Sequence, residues 1–398
     1  MATFFPTRKE RTWPKDFWLV QGREKLCIPC VTKRLWRGGE GRLKKIRSTH
    51  SIARDRFYRS PEFGLIATIE KSLDKLDEDS ELEKVIIPVD ILEKAKSLSP
   101  YYSVILFDGD EMGKWFSGQK SKDDWSDAAF KEFQIELSNR LLRFSELVVA
   151  QAGNYRASVV YAGGDEGLVF CPLDFCLPFA KRIHELWTET MDGMDCNPND
   201  CPKVPTLSLQ AIACHSKSPL QPNVDAVHEG LTKSKESATD RNCFGIAIRP
   251  RSGSHSNVVM PWGEFDFLIS AIESFSNWRC SDMWQRGPII ASNSFAPTGI
   301  PHKILGSLEG LFKPADTHGK RYVFDVVLFK RELLRIVDGG KNRDSAWWPD
   351  FEKFAEWLVQ RSREVNKNEI NGLETVESIL KTTGTLAKWL QWKESGDE

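Results

Sequence analysis

"YAGGDEGLVF", residues 161–170, sets two glycines and two acids between two apolar runs. Each run is too short for a helix and suits a strand, and Gly163 and Gly164 supply the dihedral freedom of a tight turn. The stretch therefore predicts a β-hairpin with Asp165 and Glu166 at its tip. Upstream, "YYSVILFDGDEMGKW" (101–115) opens with another β-rich run and breaks at Asp108-Gly109-Asp110, which reads as a strand ending in an acidic turn. Between the two, "DAAFKEFQIELSNRLLRFSELVVAQAG" (127–153) spaces Phe130, Phe133, Leu137, Leu141 and Phe144 as one face of a long helix.

Downstream the alternation continues. "LDFCLPFAKRIHELWTETM" (173–191) reads as a helix, "TLSLQAIACHSK" (206–217) as a strand, "VDAVHEGLTKSKESA" (224–238) as a helix and "NCFGIAIRPRSG" (242–253) as a further strand. From residue 101 the order β-α-β-β-α-β is the split βαβ, ferredoxin-like plan: an α+β fold whose antiparallel sheet carries helices on one face, as in palm-type nucleotidyl transferases. In that plan the first strand lies beside the second strand of the hairpin, so both acidic turns reach one end of the sheet. Composition shifts suggest three regions. Residues 1–98 are an irregular, then helical region, 99–262 the palm, and 263–398 a helical bundle with apolar faces in "FDFLISAIESFSNW", "WWPDFEKFAEWLVQRSREV" and "LETVESILKTTGTLAKWLQW".

Bulk charge decides little, because 55 lysines and arginines balance 56 aspartates and glutamates. Locally, residues 32–60 hold ten basic residues against Glu40 and Asp55, which reads either as a solvated face or as a surface for RNA or an acidic partner. No apolar run approaches the length of a membrane span, "MATFFPTRKERTWPKDFW" lacks the apolar centre of a secretory signal, and nine scattered cysteines suit a reducing compartment. The expectation is a cytoplasmic protein without membrane partners.

A lone Gly-Gly-Asp-Glu is a common hairpin turn. Its pairing with "LFDGDEMG" changes the reading. Asp108, Asp110, Asp165 and Glu166 gathered at one sheet end would raise one another's pKa unless cations neutralise them. Hard divalent ions with oxygen ligands do so, and two of them can activate a hydroxyl and stabilise a leaving pyrophosphate. Gly163 and Gly164 would let a triphosphate approach the backbone. Lys233 and Lys235, and Lys114 after the first acidic turn, are candidates for holding that phosphate tail as point charges. His215 reads as a hydrogen-bonded structural residue.

Together, "VILFDGDEMGKWFSG", "VVYAGGDEGLVF", "LSLQAIACHSKSPL" and "AVHEGLTKSKESATDRNCFGIAIRPRSG" resemble, in order and spacing, the second palm (cyclase) domain of the large subunit of type III-B CRISPR effector complexes, the Cmr type. The resemblance implies an ATP-using, GGDEF-related nucleotidyl transferase that makes cyclic oligoadenylate when guide RNA pairs with target RNA, an antiviral signal. It implies two Mg2+ or Mn2+ ions held by Asp108, by Asp110 or the backbone beside it, and by Asp165 and Glu166, with Lys235 favoured on the phosphates. The family motif ends in two aspartates, and Glu166 replaces the second. "LCIPCVTKRLW", with Cys27 and Cys30, matches only half of the family's four-cysteine zinc module; Phe5 and Arg8 stand where the first pair is expected, so zinc is not expected, with Cys196 and Cys201 as conjectural helpers.

The HD nuclease and first palm domain of that subunit are not legible in the chain, so the resemblance leaves a fragment, a split subunit completed by a separate chain, or a homodimer as expectations. Expected partners are the other type III-B subunits, guide and target RNA, and ATP. Two other readings remain: a catalytically weak scaffold of the ribonucleoprotein, and a stand-alone GGDEF-type cyclase.

Overall fold

The computed structural model describes residues 47–55, 100–120, 126–194, 204–237, 241–251, 255–276, 278, 280, 300–307, 311–314, 322–336, 347–367 and 372–390. Cys27, Cys30, Cys196, Cys201, most of the basic segment and the helical part expected within 1–98 lie outside them. Residues 47–398 group as one compact unit.

Its centre is a six-stranded sheet in the order β2-β3-β1-β4-β5-β6, built from β1 (Tyr101–Gly109), β2 (Ser158–Gly163), β3 (Glu166–Pro172), β4 (Leu207–His215), β5 (Cys243–Arg249) and β6 (Ser256–Pro261). β1 runs antiparallel to both β3 and β4, which is the split βαβ arrangement, while β5 is added parallel to β4. The β1 run is buried along nearly its whole length rather than alternating, so it has a core on both faces. On one face Ile105 and Phe107 meet α3 (Asp127–Ala152) and α4 (Leu173–Met191) through Leu137, Leu141, Phe144, Ile183 and Trp187. On the other, Tyr102, Val104 and Leu106 pack with Val227 and Leu231 of α5 (Leu220–Ser237) and with Ile52 of α1 (Thr49–Ala53).

The one-face expectation therefore holds for α3 and α4 alone. A parallel β4-α5-β5 connection must cross over the sheet, and α5 does so on the face that α3 and α4 leave free. α3 starts where the Ser126 side chain accepts the Ala129 N–H and runs to a cap at Gly153. Phe130 and Phe133 stack near its start, and Phe133 stacks in turn on Trp115 of the short α2 (Met112–Phe116), the element that follows the first acidic turn.

The carboxy-terminal part contains α6 (Phe265–Ser274), α7 (Ile300–Leu305), α8 (Val326–Ile336), α9 (Trp348–Lys367) and α10 (Gly372–Leu390), with a small ribbon of β7 (Phe312–Pro314) and β8 (Tyr322–Phe324). Phe275 sits edge-on to Phe351 and Phe354 and seams α6 to α9. α10 reaches the sheet at both edges of its path: Thr382 Oγ1 lies 3.0 Å from Ser256 Oγ, and Trp389 stacks on Tyr101 at 3.5 Å between ring centres. β6 and the β7–β8 ribbon escape sequence reading because each is short and β6 begins Ser-Asn and ends in proline, an edge-strand composition.

One close approach ties this packing to the acidic hairpin. A Cβ on Gly167 would lie 2.2 Å from the Phe107 ring, so β3 can pair with β1 beside Glu166 only with a hydrogen at that position. Gly167→Ala is expected to destabilise the protein by about 1–3 kcal/mol through overpacking. A thermal unfolding midpoint equal to that of the parent would contradict the contact.

Candidate functional site

The register of β1 against β3 sets Asp108 directly opposite Glu166, and the β2–β3 pairing closes the hairpin at Gly163 and Glu166. Gly164, with φ +67°, takes the left-handed corner of the turn. The Gly109 N–H donates to the Asp165 carbonyl at 3.1 Å, and a Cβ on Gly109 would sit 2.9 Å from that of Asp165, so the two acidic turns lie against one another. The convergence expected from sequence is present. Like charges facing across a ladder are unfavourable, and the protein answers each acid differently.

Asp108 is met by Lys235 from the end of α5, with Nζ 2.5 Å from Oδ2 and 3.1 Å from the Asp108 carbonyl. The lysine arrives there because Val227, Leu231 and Lys235 follow one another at steps of four along the sheet-facing side of α5. Glu166 accepts a hydrogen bond from the Tyr161 hydroxyl. That phenol is pushed up by burial, then by its bond to Glu166 and by the charges of Glu166 and Asp108, so it stays protonated and serves as a donor. Asp165 keeps a raised pKa: burial raises it first and the charges of Asp108 and Glu166 add to that, while a hydrogen bond from its own backbone and the charge of Lys235 offset only part of the rise.

Asp110 behaves differently. Its carboxylate is buried, with Ser208 Oγ at 2.8 and 3.0 Å from its two oxygens, Thr206 Oγ1 at 2.9 Å, the Asn242 N–H at 3.0 Å and Lys235 Nζ at 3.2 Å. Its own N–H donates to the Thr206 carbonyl at 2.8 Å. One side chain thus joins the end of β1 to the starts of β4 and β5. Of the two alternatives that sequence left open at this place, the side chain is committed to the protein, while the neighbouring Gly109 carbonyl faces the site, 3.3 Å from Lys235 Nζ.

Beside this acidic centre lies a basic one. Glu111, at φ 54°, pairs with Lys114 and lies 4.0 Å from both Lys120 and Arg241. The Lys114 hydrogen bond, and then the charges of Lys114, Arg241 and Lys120, hold its carboxyl below the usual range. Lys114 is therefore near the site but turned to Glu111. Lys233 is not gathered in; it is exposed and pairs with Glu229 one turn back. His215 lies at the opposite end of β4, with Nδ1 accepting the Lys217 N–H at 3.0 Å and its ring edge-on to Tyr101.

Sequence reading missed Tyr161, Thr206, Ser208, Glu111, Lys120 and Arg241 as parts of this centre. Thr206, Ser208 and Gln210 did carry a signal, polar residues alternating into a strand that is otherwise apolar. Behind them, the His184 ring stacks on Trp262 at 4.1 Å between centres and bonds the Asn242 side chain.

Among the described residues, no group of three or more histidine, cysteine, aspartate or glutamate side chains converges to hold a metal. The physical reason is visible: Asp110 is turned beneath the turn, and Lys235 already holds Asp108. The donors nevertheless fit a hard cation in kind, because two carboxylates and two main-chain carbonyls, all oxygen, surround a single position that a cationic group occupies.

The span holding every residue of this centre, 101–245, matches the family model for the Cas10/Cmr2 second palm domain. Residues 101–245 are thus similar to that palm domain. A curated relative, the CRISPR system Cmr subunit Cmr2 of Pyrococcus furiosus, is 24% identical over 238 residues, 54% of this chain and 26% of that protein. The chain thus spans about a quarter of the relative's length. Among solved structures, it is similar to a chain of the type III-B Cmr-beta complex in its apo state (12% identity, TM-score 0.46, 76% of this chain and 43% of that one). It is also similar to a chain of a Csm1–Csm4 cassette in complex with cA4 (17% identity, TM-score 0.42, 72% and 36%).

Within the palm domain the two β1 aspartates are expected to separate by experiment. Asp110→Ala leaves Lys235, Ser208 and the Asn242 N–H without their buried acceptor and should cost about 3 kcal/mol or more of stability. Asp108→Ala, at a partly exposed side chain, should cost far less; equal losses in chemical denaturation would contradict the division. A second expectation concerns pH. Burial lowers the His184 pKa from 6.5 to about 4, so the folded palm binds this proton more weakly than the unfolded chain. The neutral ring's contribution is complete above pH 6.5 and is lost as pH falls toward 4. The unfolding midpoint should drop across that window in the parent and drop less in His184→Phe; parallel pH profiles would refute the assignment.

Proposed function

We propose that this palm is a nucleotidyl transferase that joins ATP molecules into a cyclic oligoadenylate signal, as a subunit of a cytoplasmic type III CRISPR ribonucleoprotein with guide and target RNA. The observation that carries the reading is the meeting of Asp108 with the Asp165-Glu166 turn at one end of the sheet, under Lys235. The palm-family match of residues 101–245 supports it. The similarity to a Cmr subunit supports placement beside other type III-B subunits.

In this reading Asp108, Asp165, Glu166 and the Gly109 carbonyl would hold divalent ions, Mg2+ or Mn2+, whose charge would ease loss of the hydroxyl proton and neutralise the leaving pyrophosphate. The 3′-hydroxyl of one ATP attacks the α-phosphate of another; a phosphodiester forms, pyrophosphate leaves and the hydroxyl proton passes to solvent. Gly163 and Gly164 have open space where side chains would be, so the triphosphate can lie on the turn's backbone. Lys114, Lys120 and Arg241 supply positive charge beside the turn for the phosphate tail. Tyr161 fixes the longer arm of Glu166, which compensates for the extra methylene relative to aspartate. The second nucleotide is met by another palm domain, on this subunit or on a separate chain.

A scaffold without turnover is the second reading, and the commitment of Lys235 to Asp108 and Asp110 is the observation that favours it. The two separate in one assay. Protein assembled with its complex partners, target RNA and Mn2+ should convert labelled ATP to oligoadenylate, and Asp165→Ala plus Glu166→Ala should reduce the rate by at least about 100-fold, as for loss of metal-held charge stabilisation. Absence of product from the parent complex would leave the scaffold; product from GTP in place of ATP would point to a stand-alone cyclase.

A further inference from the structure

Lys235 is unusual among the lysines of the palm. Its side chain is 10% exposed, and Nζ lies within 2.5–3.3 Å of four oxygens: Asp108 Oδ2, the Asp108 and Gly109 carbonyls, and Asp110 Oδ1. An ammonium group donates only three hydrogen bonds, and four oxygens, two of them carbonyls with no proton to give, describe the surroundings of a cation. Two of them, Asp108 Oδ2 and the Gly109 carbonyl, are oxygens that the divalent site proposed above would need.

We propose that Lys235 is the resident cation of the nucleotide-free palm, and that a divalent ion enters only by displacing its ammonium group. This rests on the reading of the centre as a metal and nucleotide site. Two cations cannot share one ring of oxygens, because their repulsion at such separations is large in a partly desolvated site. The lysine stem can leave without moving the fold. α5 is clamped one residue earlier, where Ser234 Oγ donates to Gln210 Oε1 at 3.0 Å and Gln210 Nε2 donates to Asn257 Oδ1 at 3.1 Å. Gln210 itself lies over Gly245, where a Cβ would come within 1.9 Å of its Oε1. The backbone under Lys235 is thereby held while four methylenes rotate.

The consequence is coupling. With no nucleotide present, a displaced Lys235 has lost its anionic partners, so the metal binds against a competitor. A bound triphosphate offers the freed ammonium a new anion, and metal and nucleotide then tighten one another by the same factor. The palm would remain closed to metal until nucleotide arrives.

The test is Mn2+ binding to the full chain, followed by electron paramagnetic resonance without nucleotide. Lys235→Met should bind Mn2+ about tenfold or more tightly than the parent, since the competing state is removed, and Lys235→Arg should stay at the parent value. Equal or weaker binding by a folded Lys235→Met would overturn the proposal while leaving the nucleotide reading intact. Absence of Mn2+ from the parent and from Lys235→Met alike would remove both. Should the variant not fold, amine labelling of the parent decides the matter. Saturating Mn2+ should raise Lys235 modification several-fold, with Lys233 as the unchanged reference, and unaltered Lys235 labelling with Mn2+ bound would refute displacement.

Discussion

The buried carboxylate of Asp110 is the constraint on which the acidic end of the palm depends. Taking a carboxylate out of water is expensive unless its oxygens are satisfied. Here that requirement draws in Thr206 and Ser208 from the start of β4, the Asn242 N–H from the start of β5, and Lys235 from α5. Three strands and a helix that are far apart in sequence thereby end at one point. The Asn242 N–H is delivered by a backbone at φ 41°, following Arg241 at φ 53°, and two successive non-glycine residues in the left-handed region persist only where surrounding contacts require them.

With that anchor in place, the remaining acids divide the charge problem among themselves. Asp108 shares Lys235 with Asp110, Glu166 is quieted by Tyr161, and Asp165 is left with a raised pKa at the turn. Glu111, on the outer side, gathers Lys114, Lys120 and Arg241. The end of the sheet therefore presents a cation among acids beside an acid among cations. A metal-bound triphosphate has the same alternation of charge, and this correspondence is what connects the geometry to the proposed chemistry.

Much of this was legible in the sequence for identifiable reasons. The unbroken apolar run before Asp108, the double glycine before Asp165 and the helical spacing from Phe130 to Phe144 each state a local period, and the split βαβ order follows from their succession. Lys235 was set apart from Lys233 in the sequence by the family resemblance alone; its steps of four from Val227 and Leu231 on the sheet-facing side of α5 give the physical reason. What sequence could not decide is the direction of Asp110, because its partners sit nearly a hundred residues away and only the folded sheet brings Ser208 beneath it. The same holds for Glu111, whose basic neighbours come from α2, from the turn after it and from the start of β5. β6 was missed because an edge strand has one partner and little need of apolar residues.

Anomalous diffraction from crystals of the full chain grown with Mn2+ and a non-hydrolysable ATP analogue tests the central claim most directly. The account predicts a manganese peak among Asp108, the Gly109 carbonyl and the Asp165-Glu166 turn, with Lys235 withdrawn to a phosphate and Asp110 still bonded to Ser208. A map in which Lys235 remains among those oxygens, with nucleotide bound and no manganese beside Asp108, would contradict it.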